Sequence, residues 1–246
     1  MGRRILILGG TADARELAEL LDRETDCEVI TSLAGRTSKP AEQSGTVRVG
    51  GFGGADPLAG YLTENQINLL IDATHPYAAQ ISTNAAAASA AAGVPSFRLE
   101  RPGWAPLEAD NWIDVAGNQE AAAALPSGAR ALVTVGTGGV APFVERLDIQ
   151  VIARVIERPA EPPRPPHKIM VARPPFALED ELLLMRTEHI THLVTKNAGG
   201  KKMAPKIAAA RQLKIPVVMI ARPKLPDAEV ARNLNHALAL MGRLLS

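Results

Sequence analysis

Residues able to hold a proton or an anion stand in this chain at the ends of apolar runs. His75, Pro76 and Tyr77 follow the run LLID in LLIDATHPYAAQIS (residues 69–82), just before an alanine-rich stretch. An imidazole titrates near neutrality, so His75 is the natural proton donor; Tyr77 and Lys196 are further candidates, and water can serve. Asp72 closes the apolar run and is expected to cap the next turn, and Pro76 is expected at the first position of the following helix.

A second candidate site lies at the start of the chain. RRILILGGTADARELAELL reads as a strand, a glycine turn and an amphipathic helix. That order aims backbone N–H groups and a helix N-terminus at a pyrophosphate. Gly9, Gly10, Thr11 and Ala12 are the candidate donors. The match to G-x-G-x-x-G is incomplete, with Thr11 and Ala14 in place of the second and third glycines; an ordinary strand–helix turn without a ligand has the same look. An NAD site would place Asp or Glu about 20 residues further on. Here the sequence is VITSLAGRTSK, whose Ser32, Arg36 and Thr37 suit a 2′-phosphate, so NADPH is the expected dinucleotide. The following VGGFGGADPLAGYL offers Gly51 and Gly53 for close backbone approach, with Asp56 and Pro57 expected as cap and first helical residue.

The second half repeats the theme. VGTGGVAPF puts Thr137, Gly138 and Gly139 at a strand end before a helix, an arrangement suited to an anion. VTKNAGGKKMAPK does the same with Lys196, Asn197, Gly199 and Gly200, and Arg173 and Arg222 also follow apolar runs. Loop solubility accounts for these cations equally well.

These residues need a scaffold that gathers strand ends. ILIL, LLID, ALVTV and VVMI are apolar on both faces, as in parallel strands covered by helices. Strands are expected near 4–8, 28–32, 46–49, 68–73, 95–99, 112–115, 131–135, 150–155, 169–172, 192–195 and 217–221. Helices are expected at 12–22, 56–65, 77–92, 119–124, 140–146, 178–187, 204–213 and 228–244. The fold class is therefore α/β with parallel sheets. The Pro- and Gly-rich stretch RPGWAPLEADN marks a boundary between a first domain (1–100), expected to bind NADP(H), and a second (101–246), expected to bind substrate.

Composition narrows the partners. The chain has 246 residues, a formal charge of +1 and 3% aromatics, so neither a basic nucleic-acid surface nor a stacking platform is expected. A single cysteine, Cys27, suits a reducing cytoplasm. No run is apolar and long enough for a membrane span, and none reads as a signal peptide. The five histidines lack a compact carboxylate set, so no metal is expected. Neither tyrosine is followed four residues later by lysine, which excludes the Tyr-x-x-x-Lys pair of short-chain dehydrogenases.

The blocks ILILGGTADARELA, GGFGGADPLAGYL, IDATHPYAAQISTNA, RPGW, VTVGTGG and VTKNAGGKKMAPKIAAARQLKIPVVMIARP, in that order, resemble the precorrin-6A reductase family of cobalamin biosynthesis. The resemblance covers nearly the whole chain; DATHPYA and VTKN-x-GG are its specific parts. It implies two Rossmann-like lobes with a central cleft, and NADPH-dependent reduction of a precorrin, with hydride to C18 and a proton to C19. Gly9, Gly10 and Thr11 would hold the pyrophosphate, Ser32, Arg36 and Thr37 the adenosine phosphate, and His75, Pro76 and Tyr77 would border the nicotinamide, with Thr74 also expected to bind the cofactor. Ala198 replaces a serine common in the family. An anionic tetrapyrrole suits the cations and glycine turns of the second half. The expected assembly is a monomer or weak homodimer; the rival reading is a non-catalytic NADPH sensor.

Overall fold

The computed structural model describes residues 2–35 and 44–246. In chain order the elements are β1 (Arg4–Leu8), α1 (Ala12–Glu24), β2 (Glu28–Leu33), β3 (Thr46–Val49), α2 (Ala55–Glu64), β4 (Leu69–Asp72), α3 (Ala79–Ala92) and β5 (Ser96–Leu99). Then come β6 (Trp112–Val115), α4 (Asn118–Ala123), β7 (Arg130–Thr134), α5 (Ala141–Val144), β8 (Gln150–Val155), β9 (Lys168–Val171), α6 (Leu178–Thr187), β10 (His192–Lys196), α7 (Pro205–Gln212) and β11 (Val217–Ile220). The chain ends with β12 (Val230–Ala231) and α8 (Leu234–Leu244).

Two parallel six-stranded sheets result, ordered β3-β2-β1-β4-β5-β12 and β9-β8-β7-β10-β11-β6. The orders are equivalent: β7, β8 and β9 take the places of β1, β2 and β3, and β10 and β11 those of β4 and β5. Only the sixth places differ in origin. β6 follows β5 in the chain but pairs with β11, and β12 follows β11 but pairs with β5.

Alternation along β1 shows how the first sheet is covered. Ile5 and Ile7 join one core with Leu17 and Leu21 of α1 and Leu240 of α8. Leu6 and Leu8 join the other with Leu58 and Leu62 of α2 and Ala85 and Ala88 of α3. The buried face of α1 is Ala14, Leu17, Ala18 and Leu21, spaced for one helical stripe. Each buried leucine there contributes roughly 2 kcal/mol of transfer free energy. Small residues on α3 allow close approach to the sheet, where Ser89 Oγ donates to the Val94 carbonyl at 2.6 Å.

The structure corrects the expected layout in several places. The first compact unit comprises residues 1–102 and 223–246, the second 103–222, so the last segment does not belong to the second lobe. A helix over 228–244 was expected from its apolar spacing, but Val230 and Ala231 pair with Arg98 and Leu99, and the helix starts only at Leu234 behind an Asn233 cap. Edge pairing overrides helical propensity there. Pro76 is not a first helical residue: it occupies a turn closed by the Ala78 N–H donating to the His75 carbonyl at 2.7 Å, and α3 begins at Ala79. Likewise Gly54 is the cap of α2, which moves Asp56 and Pro57 inside the first turn.

Candidate active site

The carboxyl edge of the first sheet assembles the expected cofactor residues. β1 and β4 are neighbours from which the connections run in opposite directions, the position where doubly wound sheets hold ligands. Leu8 lies opposite Ser32 on one side and Asp72 on the other, so the segments following β1, β2 and β4 emerge side by side. The Gly9 N–H donates to the Ser32 carbonyl at 2.9 Å, and a Cβ on Gly9 would meet Thr31 Cγ2 at 3.0 Å. Gly10 has φ +106° with open space where a Cβ would stand. The first is glycine for packing, the second for conformation.

Thr11 spends its hydroxyl on the protein itself. Its Oγ1 accepts from the Ala14 N–H at 3.0 Å and donates to the Ala73 carbonyl at 2.8 Å. The hydroxyl thus caps α1 and ties the β1 turn to the end of β4. A helix start leaves its first N–H groups without intrahelical acceptors; with that of Ala14 taken by the cap, those of Ala12 and Asp13 have no acceptor among the described residues. The Asp13 carboxylate in this first turn pairs with Arg101 at 2.6 Å. Sequence spacing carried no signal for this pair, because the partners stand 88 residues apart.

At the end of β4, Asp72 is buried and its Oδ1 accepts from the Thr74 N–H at 3.1 Å and the Thr74 hydroxyl at 2.6 Å. Asp72 is therefore the turn's cap. His75 is exposed, Pro76 buried and Tyr77 half-buried. The Tyr77 N–H donates to His75 Nδ1 at 3.3 Å, and the two rings lie 5.6 Å apart. An Nδ1 that accepts places the imidazole proton on Nε2, the edge directed away from this bond.

Ser32 is buried near the end of β2. Arg36 and Thr37, the other residues expected around a 2′-phosphate, lie outside the described residues. The structure adds a residue that spacing did not single out. Arg48, opposite Ser32 in the β2–β3 ladder, donates through Nη1 to Ser32 Oγ at 3.3 Å and to the Gly50 carbonyl, and through Nη2 to the Gly51 carbonyl at 3.3 Å. Its guanidinium lies 3.8 Å from the Phe52 ring centroid. Gly50 and Gly53 adopt φ +122° and +88°; Gly51 does not need a positive φ.

In the second lobe the glycine turns after β7 and β10 share one geometry. Gly136 (φ 82°, ψ 160°) and Gly200 (φ 84°, ψ 150°) each lead into a short 3-10 turn over Thr137–Gly139 and Lys201–Met203. Thr137 and Gly138 are exposed, whereas Gly139 is buried with no room for a Cβ beside Val135. Thr137 Oγ1 donates to the Glu157 carbonyl at 3.1 Å, and Arg173 pairs with the Glu157 carboxylate at 3.5 Å.

Asn197 and Arg222 serve the loop itself. Asn197 Oδ1 accepts from the Trp104 N–H at 2.7 Å and Nδ2 donates to the Trp104 carbonyl at 3.0 Å. The Trp104 indole N–H donates to the Gly200 carbonyl at 3.2 Å, and Arg222 donates to the carbonyls of Asn197 (2.8 Å) and Ala198 (3.3 Å). The RPGW and KNAGG blocks are thus bound to one another, with Lys196 half-buried at the end of β10 and Gly199 buried.

Beneath these turns lies a buried charge cluster. Lys206 Nζ donates to Thr134 Oγ1 at 3.0 Å, Arg154 and Glu181 form a two-pronged pair at 3.0 and 2.8 Å, and all three charged groups are buried. Burial, with repulsion from Arg154 against attraction by Glu181, pushes the Lys206 amine down to about 7.

Two doubly wound parallel sheets, one with a glycine turn and a helix start at its switch point, define a Rossmann-like α/β protein. Residues 4–242 match the family model for precorrin-6x reductase CbiJ/CobK. A precorrin-6A reductase of Rhodococcus erythropolis is 45% identical over 98% of both chains, and a cobalt-precorrin-6A reductase of Priestia megaterium 30% identical over 95% of this chain and 97% of its own. The solved structure of a CobK precorrin-6A reductase superposes with a TM-score of 0.93 at 38% identity, covering 98% of this chain and 97% of that one. The chain belongs to the precorrin-6x reductase family, reductases of cobalamin biosynthesis.

Proposed function

We propose that this chain uses NADPH to reduce precorrin-6A to precorrin-6B, adding hydride at C18 and a proton at C19 of the macrocycle. The observation that carries the cofactor is the edge of the first sheet: Gly10, Ala12 and Asp13 offer N–H donors beside a β2 end that carries Ser32 and, through Gly35, no carboxylate. A bound nicotinamide supplies the hydride. Gly9 lets the turn lie against β2, and Thr11 holds it to Ala73. Gly51 and Gly53 allow close approach of the β3 loop, while Thr74, His75, Pro76 and Tyr77 border the reacting ring. His75 presents Nε2 there, with its ring angle set by the Tyr77 N–H. Tyr77, beside it, and Lys196, at the end of β10, are the other groups able to hold a proton.

The carboxylate arms of the substrate fall to Thr137, Gly138, Gly139, Lys196, Gly199, Gly200 and Arg173, while Asn197 and Arg222, which follows β11, brace the loop after β10. The metal-free ring is the substrate supported by the greater identity to precorrin-6A reductase, 45% against 30% for the cobalt-precorrin enzyme. The cytoplasm, with its reduced dinucleotide pool, is the matching compartment, and among the described residues no helix is long and apolar enough to cross a membrane.

Anaerobic incubation with NADPH and precorrin-6A tests the reading: NADPH absorbance should fall as the macrocycle spectrum shifts. Bound NADPH with no turnover would instead favour a sensor. In His75→Ala, turnover should drop by about 100-fold with NADPH affinity intact; unchanged turnover removes His75 from the chemistry.

A further inference from the structure

We propose that Arg48, acting with Ser32, reads the 2′-phosphate of the dinucleotide and sets the preference for NADPH over NADH. The inference rests on the cofactor reading above and adds a residue on β3 to it. Three observations carry it.

The first is position. Leu8, Ser32 and Arg48 occupy one row across β1, β2 and β3. Two strand spacings, about 10 Å, separate the glycine turn from Arg48, the scale on which an adenosine ribose extends from its pyrophosphate. The second is pre-organisation. Phe52 stacks on the guanidinium at 3.8 Å, the Tyr61 ring centroid lies 5.6 Å away, and the carbonyls of Gly50 and Gly51 fix its end. A stacked and tethered arginine loses little side-chain freedom when an anion arrives. The third is the donor inventory. Nη1 serves Ser32 and Gly50 and Nη2 serves Gly51, which leaves Nε–H and the second Nη2 hydrogen without a partner among the described residues. Nε and Nη2 share one edge of the guanidinium, the edge that takes two oxygens of a phosphate. Ser32 Oγ, which accepts from Arg48, keeps its own hydrogen to donate to the same group. A carboxylate at this place would repel a phosphate; a half-buried guanidinium attracts it.

The experiment is a set of equilibrium titrations of the full chain with NADPH, NADH, adenosine 2′,5′-bisphosphate and AMP. Wild type should bind NADPH tighter than NADH and the bisphosphate tighter than AMP. Arg48→Gln should weaken NADPH and the bisphosphate by about 10- to 100-fold while leaving NADH and AMP unchanged. Arg48→Lys, which keeps the charge and loses the fork, should fall between. Equal weakening of all four ligands would overturn the proposal and make Arg48 a brace for the Gly50–Gly54 loop. Wild-type indifference to the 2′-phosphate would overturn it without reference to any variant. Failure of wild type to bind either dinucleotide would instead remove the cofactor reading itself.

Discussion

Asn197 and Gly103 show how a side-chain amide can stand in for backbone pairing between two loops. The Asn197 amide copies a backbone pairing, accepting from and donating to Trp104, and a Cβ on Gly103 would stand 3.0 Å from its Oδ1. Glycine and asparagine are thus required together. Asn197→Ala leaves the Trp104 N–H and carbonyl without these partners and should lower stability by about 1–3 kcal/mol, read from the shift of the urea midpoint at constant slope. An Asn197 that acted only on substrate would leave that midpoint in place. The sequence marked KNAGG as a motif; what it could not reveal was that one of its partners is RPGW, nearly a hundred residues earlier. The place of His75 was legible, since apolar runs ending in polar residues mark the carboxyl edge of a parallel sheet. Thr11 was legible in place only, because its cap and its bond to Ala73 depend on the neighbouring strand. Arg48 escaped notice because it sits inside a strand rather than at its end.

Helix α7 carries a different lesson. Lys206 lies in its first turn and is buried with Arg154 of β8 and Glu181 of α6, with the Trp104 ring centroid 5.7 Å from its Nζ. Its amine titrates near 7 in the folded chain and about 10.4 when unfolded. Between those values the unfolded chain binds more protons, so stability rises as pH is raised from about 7 to about 10.4 and is lost as pH falls back through that window. Lys206→Met should flatten that slope in chemical denaturation series and, by removing a buried amine while Thr134 keeps its bond to the Val194 carbonyl, raise stability at pH 7 by about 1–4 kcal/mol. A slope that survives the substitution would assign it to another group. Helical spacing marked α7 in the sequence, but nothing in that spacing marks its lysine as buried. Only the packing of α6 against α7 does so.

At the scale of the whole molecule, the equivalence of the two sheets was hidden by sequence divergence and by the origin of their sixth strands. Apolar runs disclosed the parallel core strands; β12, two residues long, has no such signature. It is held by Arg98, whose guanidinium donates to the Pro226 carbonyl at 3.2 Å, and by α8, whose Ala237 and Leu240 enter the core of the first lobe. Leu240→Ala should therefore destabilise the first lobe by about 2–4 kcal/mol although it lies far beyond the second lobe in sequence. Hydrogen exchange should show amides of β1 and β4 losing protection while those of β7 and β10 keep theirs; uniform loss across both lobes would contradict this assignment.

The exchanged sixth strands also set an order on biosynthesis. Residues 1–102 leave the ribosome first, yet their sheet lacks an edge strand and part of one helical cover until residues 223–246 arrive. The second lobe receives its sixth strand, β6, at its beginning and can close as soon as β11 is made. The lobe translated first is therefore the lobe completed last, and its apolar face must wait, uncovered by α8, through the synthesis of its neighbour.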